Sequence, residues 1–123
     1  MSENSPVNSS KLLVVITSLP NFEAAKALWL SLVKENLAAC VQIQEGIQSI
    51  YRWEGKLCEE LEVLLSAKTT ESRWLDISTF IQKAHPYHLP EILAFSPEQY
   101  EKQYGKWVES EVNSKSWECI HSQ

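Results

Sequence analysis

The side chains most suited to chemistry lie in one short segment, His85-Pro86-Tyr87-His88-Leu89-Pro90-Glu91. Imidazole and carboxylate groups ligate divalent cations, and they exchange protons near neutral pH. Pro86 excludes a regular helix here, so the spacing of His85 and His88 does not place both imidazoles on one helical face. The segment therefore predicts either a metal or acid–base site, or a surface loop with solvated histidines.

Two further groups of residues flank the longest extended region of the chain. Tyr51 and Trp53 precede the dipeptide Glu54-Gly55, an arrangement typical of cross-strand packing beside a turn. Lys68 precedes Thr69-Thr70 at the end of a predicted strand. It is interpreted either as an anion contact shared with the next helix N-terminus or as a solvated lysine.

The signatures of several catalytic classes are missing from the chain. It has no G-x-S-x-G, no H-E-x-x-H, no Walker A loop and no G-x-G-x-x-G. Missing motifs do not exclude an enzyme, but they make one less expected, and the prediction is that the protein is not an enzyme.

The composition of the chain indicates which classes of partner to exclude and which cellular compartment to expect. A net charge of −5 argues against a nucleic-acid partner, because phosphate backbones are bound by clustered Lys and Arg. No apolar run reaches the length of a membrane span, so no membrane partner is expected. Three cysteines without C-x-x-C spacing fit a reducing compartment. The polar residues 1–10 lack the pattern of a secretory signal, and the predicted location is the cytoplasm.

The first half of the chain predicts a strand, a helix and a hairpin. The apolar run Leu12–Ile16 is typical of a central strand buried on both faces. Helical periodicity follows from about residue 21 to residue 35, with Asn36 as a left-handed terminator. Two alternating segments between residues 38 and 68 then meet at the turn Glu54-Gly55, and Gly46 predicts a bulge in the first of them.

The second half predicts two helices separated by an edge strand. Thr70 is the expected N-cap of a helix that ends at His85, before Pro86. Ile92–Phe95 is a short strand that enters through Pro90 and is therefore placed at an edge. Ser96-Pro97-Glu98-Gln99 has the form of a capping box and predicts a third helix that runs to about residue 112.

The resulting order, β-α-β-β-α-β-α, predicts an α+β fold. It is a ferredoxin-like split βαβ sandwich with a long hairpin between the second and third strands and a C-terminal helix. Residues 11–113 form the predicted domain. Residues 1–10 are expected to be a flexible tail. Residues 114–123 form a C-terminal extension in which Trp117 and Ile120 predict a terminal strand or anchor.

The length of the hairpin predicts an oligomer. Each arm can hold about 14 residues and extend roughly 45 Å, whereas a domain of about 100 residues is roughly 35 Å across. The hairpin end must therefore project beyond its own helices, carrying exposed apolar side chains and unpaired strand edges. Contact with a second copy would cover both; the alternative is that the third helix folds back over the hairpin end.

Four motifs, in order and spacing, resemble a known family. They are Asn36-Leu37-Ala38-Ala39-Cys40, Tyr51-Arg52-Trp53-Glu54-Gly55-Lys56, Lys68-Thr69-Thr70, and His85-Pro86-Tyr87 with Pro90-Glu91. Together they resemble the CutA family of divalent-cation tolerance proteins over about residues 11–112. The resemblance implies a homotrimer whose hairpins pair between subunits. It also implies a role in tolerance of divalent cations, with copper(II) binding, and a distant architectural similarity to the PII signalling trimers.

The resemblance also bears on the ligands. Ile16 stands where some members have a cysteine, and Ala84 stands where some have a second histidine. His85 therefore remains as a ligand, with Glu91 as a second one.

The first hypothesis is a trimeric, non-enzymatic protein that binds Cu²⁺ or another divalent cation weakly through His85 and Glu91. The alternative is a PII-like sensor that holds a small anionic ligand in a cleft between subunits, lined by Lys68, His85 and Tyr87 and by Tyr51 and Trp53 of a neighbouring subunit. A third hypothesis is a scaffold for partner proteins.

Overall fold

The computed structural model of the protein describes residues 10–113. Its elements are β1 (Leu12–Leu19), α1 (Phe22–Lys34), β2 (Cys40–Trp53), β3 (Lys56–Thr70), α2 (Trp74–Ala84), β4 (Ile92–Phe95) and α3 (Lys102–Asn113). The predicted order of strands and helices is confirmed. The expectations for residues 1–9 and 114–123, including the strand or anchor at Trp117 and Ile120, lie outside the described residues.

The strands form one four-stranded sheet in the order β2-β3-β1-β4, with every neighbouring pair antiparallel. β1 is central, and its side chains Leu13, Val15 and Leu19 pack with residues of α1 and α2 in the main core. Val108 and Val112 of α3 are buried outside that cluster, where α3 contacts β1 and β3. Two helices therefore share one core with the sheet, as the predicted α+β ferredoxin-like fold requires. None of the helices in residues 10–113 is long and apolar enough to cross a membrane.

The hairpin has the predicted turn and bulge. Trp53 pairs with Lys56 across a two-residue turn in which Glu54 and Gly55 have φ of 51° and 79°. Positive φ at both positions is the geometry of a type I′ turn, which matches the twist of the two strands. Gly46 has φ of 79°, and the register shifts between Gln44 and Ile47, so the bulge is confirmed.

The end of the hairpin extends beyond the core. β2 and β3 contain 14 and 15 residues, and continuous burial of β3 begins only at Glu62. The side chains of residues 56–61 are exposed apart from the half-buried Cys58. The projection expected from the hairpin's length is therefore present in the single chain.

The ends of α1 follow the local sequence signals. The Asn21 carboxamide oxygen accepts a hydrogen bond from the backbone N–H of Ala24 at 2.8 Å, which satisfies one of the free donors of the first turn. Asn36, with φ of 60°, ends the helix in the left-handed region.

The predicted start of α2 needs correction. Thr70 precedes a 3-10 turn at Glu71–Arg73, and the α-helix begins only at Trp74. The Thr70 hydroxyl lies 2.8 Å from the Ser72 hydroxyl, and its side chain makes no capping bond to the backbone. The end of α2 is as predicted, because His85 before Pro86 is extended, with φ of −72° and ψ of 137°.

The predicted start of α3 is also wrong, because the helix begins at Lys102 rather than within the capping-box sequence. The Glu101 carboxylate caps it by accepting from the Tyr104 N–H at 2.8 Å. Tyr100 lies over Gly105, and its hydroxyl accepts from the Leu12 N–H at 3.2 Å. Ser96, the expected N-cap, donates instead to Glu71 at 3.5 Å. Two of these contacts, Tyr100 to Leu12 and Ser96 to Glu71, join residues distant in sequence and replace the expected local cap.

Candidate functional site

The segment after α2 is fixed by hydrogen bonds to His85. Its Nε2 lies 2.8 Å from the backbone carbonyl oxygen of Ser18 at the end of β1. Its Nδ1 accepts the backbone N–H of Tyr87 at 3.1 Å. Because Nδ1 is an acceptor and the Ser18 partner is a carbonyl, the ring is neutral with its proton on Nε2.

Burial reinforces this neutral form. The His85 side chain is only 8% exposed. Loss of hydration disfavours the imidazolium and lowers the pKa of His85 below its usual 6.5. Both nitrogens are engaged, so a metal ion reaches this ring only if one of the two hydrogen bonds is broken.

Ser18 brings the two predicted metal ligands together. Its carbonyl accepts from His85, and its hydroxyl donates to the Glu91 carboxylate at 2.9 Å. His85 and Glu91 therefore meet at one residue of β1. Within residues 10–113, no group of three His, Cys, Asp or Glu side chains is placed to hold a metal ion. Metal binding by His85 and Glu91 therefore stays a prediction.

Two tyrosine–glutamate pairs lie beside this segment. The Tyr87 hydroxyl donates to Glu62 at 2.7 Å, and the Tyr51 hydroxyl donates to Glu60 at 2.7 Å. Desolvation and the bond to Glu62 raise the pKa of Tyr87, while the bond to Glu60 raises the pKa of Tyr51 to about 12. Both phenols therefore stay protonated near neutral pH and act as donors to the carboxylates.

These groups line one cleft of about 690 Å³, which we call the acidic cleft. Its walls are formed by Ser18, Ser49, Ile50, Tyr51, Trp53, Glu60, Glu62, Pro86, Tyr87, His88, Leu89 and Glu91. No lysine or arginine of the described part of the chain is among them. The cleft therefore combines aromatic surface with three carboxylates.

The structure brings together some of the predicted site residues and separates one. Tyr51, Trp53 and Tyr87 line the same cleft within a single chain. Lys68 lies at the end of β3 far from the turn, where its ammonium group donates to Gln42 of β2. Lys68 therefore does not join the other three in one subunit.

The sequence does not single out Glu60, Glu62, Ser18 or Ser49 as site residues. For the two glutamates, however, the sequence contains a pattern that indicates their shared face. The alternation that places Leu61 and Val63 on one face of β3 places Glu60 and Glu62 on the other. Once the turn fixes the register, Glu60 becomes a diagonal neighbour of Tyr51 across the hairpin. The Ser18 contacts carry no local signal, because the partners lie 67 and 73 residues away.

The strand order and the shared core of α1 and α2 define a ferredoxin-like α+β protein. A family model described as "CutA1 divalent ion tolerance protein" matches residues 13–111. The chain therefore belongs to the CutA1 divalent ion tolerance family.

Individual relatives agree with this assignment. The chain is 39% identical over 95 residues to the divalent-cation tolerance protein CutA of Thermus thermophilus, covering 77% of this chain and 92% of that protein. It is 37% identical over 102 residues to the protein named "CutA, chloroplastic" of Arabidopsis thaliana, covering 83% of this chain and 56% of the plant protein. The crystal structure of CutA1 from Oryza sativa superimposes with a TM-score of 0.81 at 36% identity, covering 87% of this chain and all (100%) of that one.

Proposed function

We propose that the protein is a homotrimer that contributes to tolerance of divalent cations and binds a cation such as Cu²⁺ weakly at His85 and Glu91. The observation that carries the proposal is the meeting of these two residues at Ser18, on the wall of the acidic cleft. An imidazole and a carboxylate are both ligands for first-row divalent metals.

Weak binding follows from the hydrogen bonds of His85. To offer a lone pair, Nδ1 must release the Tyr87 N–H, and breaking a hydrogen bond of this kind costs about 1 kcal/mol. Sites with several imidazole or thiolate ligands bind copper more tightly. The family resemblance implies a cysteine and a second histidine at two positions where this chain has Ile16 and Ala84, whose side chains have no donor atoms, so two protein ligands remain.

The charge of the cleft favours a cation over the anionic ligand of a PII-like sensor. Glu60, Glu62 and Glu91 lie in its walls without a lysine or arginine from the described residues. A cleft of one charge sign concentrates counter-ions of the opposite sign. In a thermal-shift comparison we expect divalent cations to change the melting temperature more than nucleotides or dicarboxylates do.

The trimer is proposed from the projecting hairpin and the free edge of β2. A β2 strand of 14 residues at the edge of the sheet leaves backbone donors and acceptors that another strand can satisfy. Sedimentation equilibrium would give the mass directly. A mass three times that of one chain supports the proposal, and a monomer mass contradicts it.

We also propose that the protein acts without catalysing a reaction and works in the cytoplasm. The family description refers to ion tolerance and names no reaction. The cytoplasmic location is proposed from the three cysteines without C-x-x-C spacing, which fit a reducing compartment; one plant relative carries a chloroplastic name. Fractionation of cells that express the native gene would test the location.

Calorimetric titration of Cu²⁺ tests the metal proposal. The chain has three histidines, so wild type is compared with His85→Ala, Glu91→Gln and the control variants His88→Ala and His121→Ala. We expect binding to be lost in His85→Ala, weakened in Glu91→Gln and retained in both controls. Isotherms of wild type and His85→Ala that coincide would refute the assignment, as would loss of binding in a control alone.

A further inference from the structure

The acidic cleft contains more recognition chemistry than one metal ion needs. Tyr51, Trp53 and Tyr87 contribute aromatic rings, while Glu60 and Glu62 contribute carboxylates from β3 of the hairpin. Aromatic faces attract positive charge through their quadrupole, and they also contact the apolar part of an organic ligand. The walls are thus suited to a ligand that is both cationic and partly hydrocarbon.

Glu62 points to the missing positive charge. Its side chain is 9% exposed, and one carboxylate oxygen accepts from the neutral Tyr87 hydroxyl. Among the described residues, no lysine, arginine or histidine lies within ion-pair distance of it. A largely buried carboxylate is stabilised further when a cation with hydrogen-bond donors joins it, and in the single chain the described residues place no cation beside Glu62.

The size and spacing of the groups favour an organic cation over a metal at this position. The described residues hold no cluster of three metal-ligating side chains, so the carboxylates are not arranged around one small ion. A cleft of about 690 Å³ has the volume of a small-molecule site. An ammonium group on a flexible chain can reach separate carboxylates while its methylene groups cover the rings.

We propose that the acidic cleft binds a small aliphatic amine with two positive charges. One ammonium group donates to Glu62 and the other to Glu60, and the methylene chain lies against Trp53 and Tyr51. The ligand class, an organic polycation, differs from the divalent metal proposed for His85 and Glu91. The two proposals share a cleft but rest on different side chains, so each can fail alone.

Calorimetry with 1,4-diaminobutane as the probe tests this inference, on the assembled protein after treatment with a chelator. The uncharged isostere 1,4-butanediol and the anion succinate are the ligand controls. We expect the diamine to bind and the two controls to give no heat. Glu62→Gln should weaken diamine binding roughly tenfold, since a charge-assisted hydrogen bond is replaced by a neutral one.

Two further variants separate recognition from folding. Trp53→Leu should weaken binding severalfold, whereas Trp53→Phe, which keeps an aromatic face, should retain most of the affinity. Glu109→Gln on α3 removes a carboxylate outside the cleft and serves as the charge control. His85→Ala should lose copper binding yet retain the diamine.

The opposite results would overturn the inference. If the wild-type protein did not bind 1,4-diaminobutane, the proposed amine site would be refuted. Equal affinity for the diamine and butanediol would show that charge is not recognised. Equal binding by wild type, Glu62→Gln and Trp53→Leu would place the diamine elsewhere on the protein.

Discussion

At the residue scale, His85 shows how a predicted ligand can have a structural role. Its position before Pro86 and its proximity to Glu91 in the chain are readable from the sequence. Its two hydrogen bonds are not, because the Ser18 carbonyl lies 67 residues away and the Tyr87 N–H becomes available only in this loop conformation. The sequence thus draws attention to His85 but cannot show that both of its nitrogens are occupied.

The buried neutral form of His85 predicts a pH dependence of stability in the metal-free protein. Its folded-state pKa is lowered, so the unfolded chain binds more protons below the usual value of 6.5. The contribution of His85 to the free energy of unfolding is therefore full above that pH and is lost as the pH falls towards the folded pKa. His85→Gln, which keeps a donor for Ser18, should show a smaller loss of stability between about pH 7.5 and pH 5.

Urea denaturation with a chelator present, at several pH values, measures this difference. His88→Gln is the matched control, and it should follow wild type. Parallel curves for wild type and His85→Gln would show that the imidazole is not held neutral.

At the element scale, local signals were reliable where neighbours in sequence make the contact. The Glu54-Gly55 turn, the Gly46 bulge and the Asn36 helix end are set by backbone conformation at one or two positions. The start of α3 was missed because a bond from Leu12 to Tyr100, 88 residues apart, decides it. A capping sequence describes only what a free helix would prefer.

The bulge gives a prediction about Gly46. Its φ of 79° lies in the left-handed region, where a Cβ costs about 1–2 kcal/mol. Gly46→Ala should lower the free energy of unfolding by about this amount, although nothing within 4 Å obstructs the methyl group. Gln48→Ala on the same strand is the control and should have a small effect. An unchanged stability in Gly46→Ala would contradict the strained backbone at the bulge.

At Gly105 we predict that substitution by alanine changes the free energy of unfolding in the direction opposite to the usual one. Alanine normally stabilises a helix interior by about 1 kcal/mol relative to glycine. Here a Cβ would overlap the ring of Tyr100, so Gly105→Ala should destabilise the protein. In a Tyr100→Ala background the same substitution should stabilise it. Chemical denaturation of the four proteins in this double-mutant cycle would reveal the coupling, and additive effects would show that the ring does not cover the glycine.

At the scale of the whole molecule, element order and motif register were enough to predict the fold class and the family. They did not predict the acidic cleft, because its walls come from β1, the hairpin and the segment before β4. Glu60 and Glu62 became part of a site only when the hairpin register and the loop position were known. Architecture thus follows from patterns, while a binding surface depends on how distant segments meet.

The proposed trimer gives a prediction about the projecting hairpin. Leu57 and Leu61 are 74% and 66% exposed on the hairpin of the single chain, and Leu75 on α2 is 73% exposed. If a neighbour covers the hairpin, Leu57→Asp and Leu61→Asp should dissociate the assembly, because each would bury an unpaired charge. Leu75→Asp should leave it intact. Light scattering after size-exclusion chromatography measures the mass, and an identical mass for all three variants would exclude this face from the interface.

The most direct test of the cation proposal is a crystal of the protein soaked in Cu²⁺, with anomalous diffraction recorded at the copper absorption edge. The account predicts a peak between His85 and Glu91, with the Tyr87 N–H no longer bonded to Nδ1. A strong peak at His88 or elsewhere, with His85 still bonded to both Ser18 and Tyr87, would contradict it.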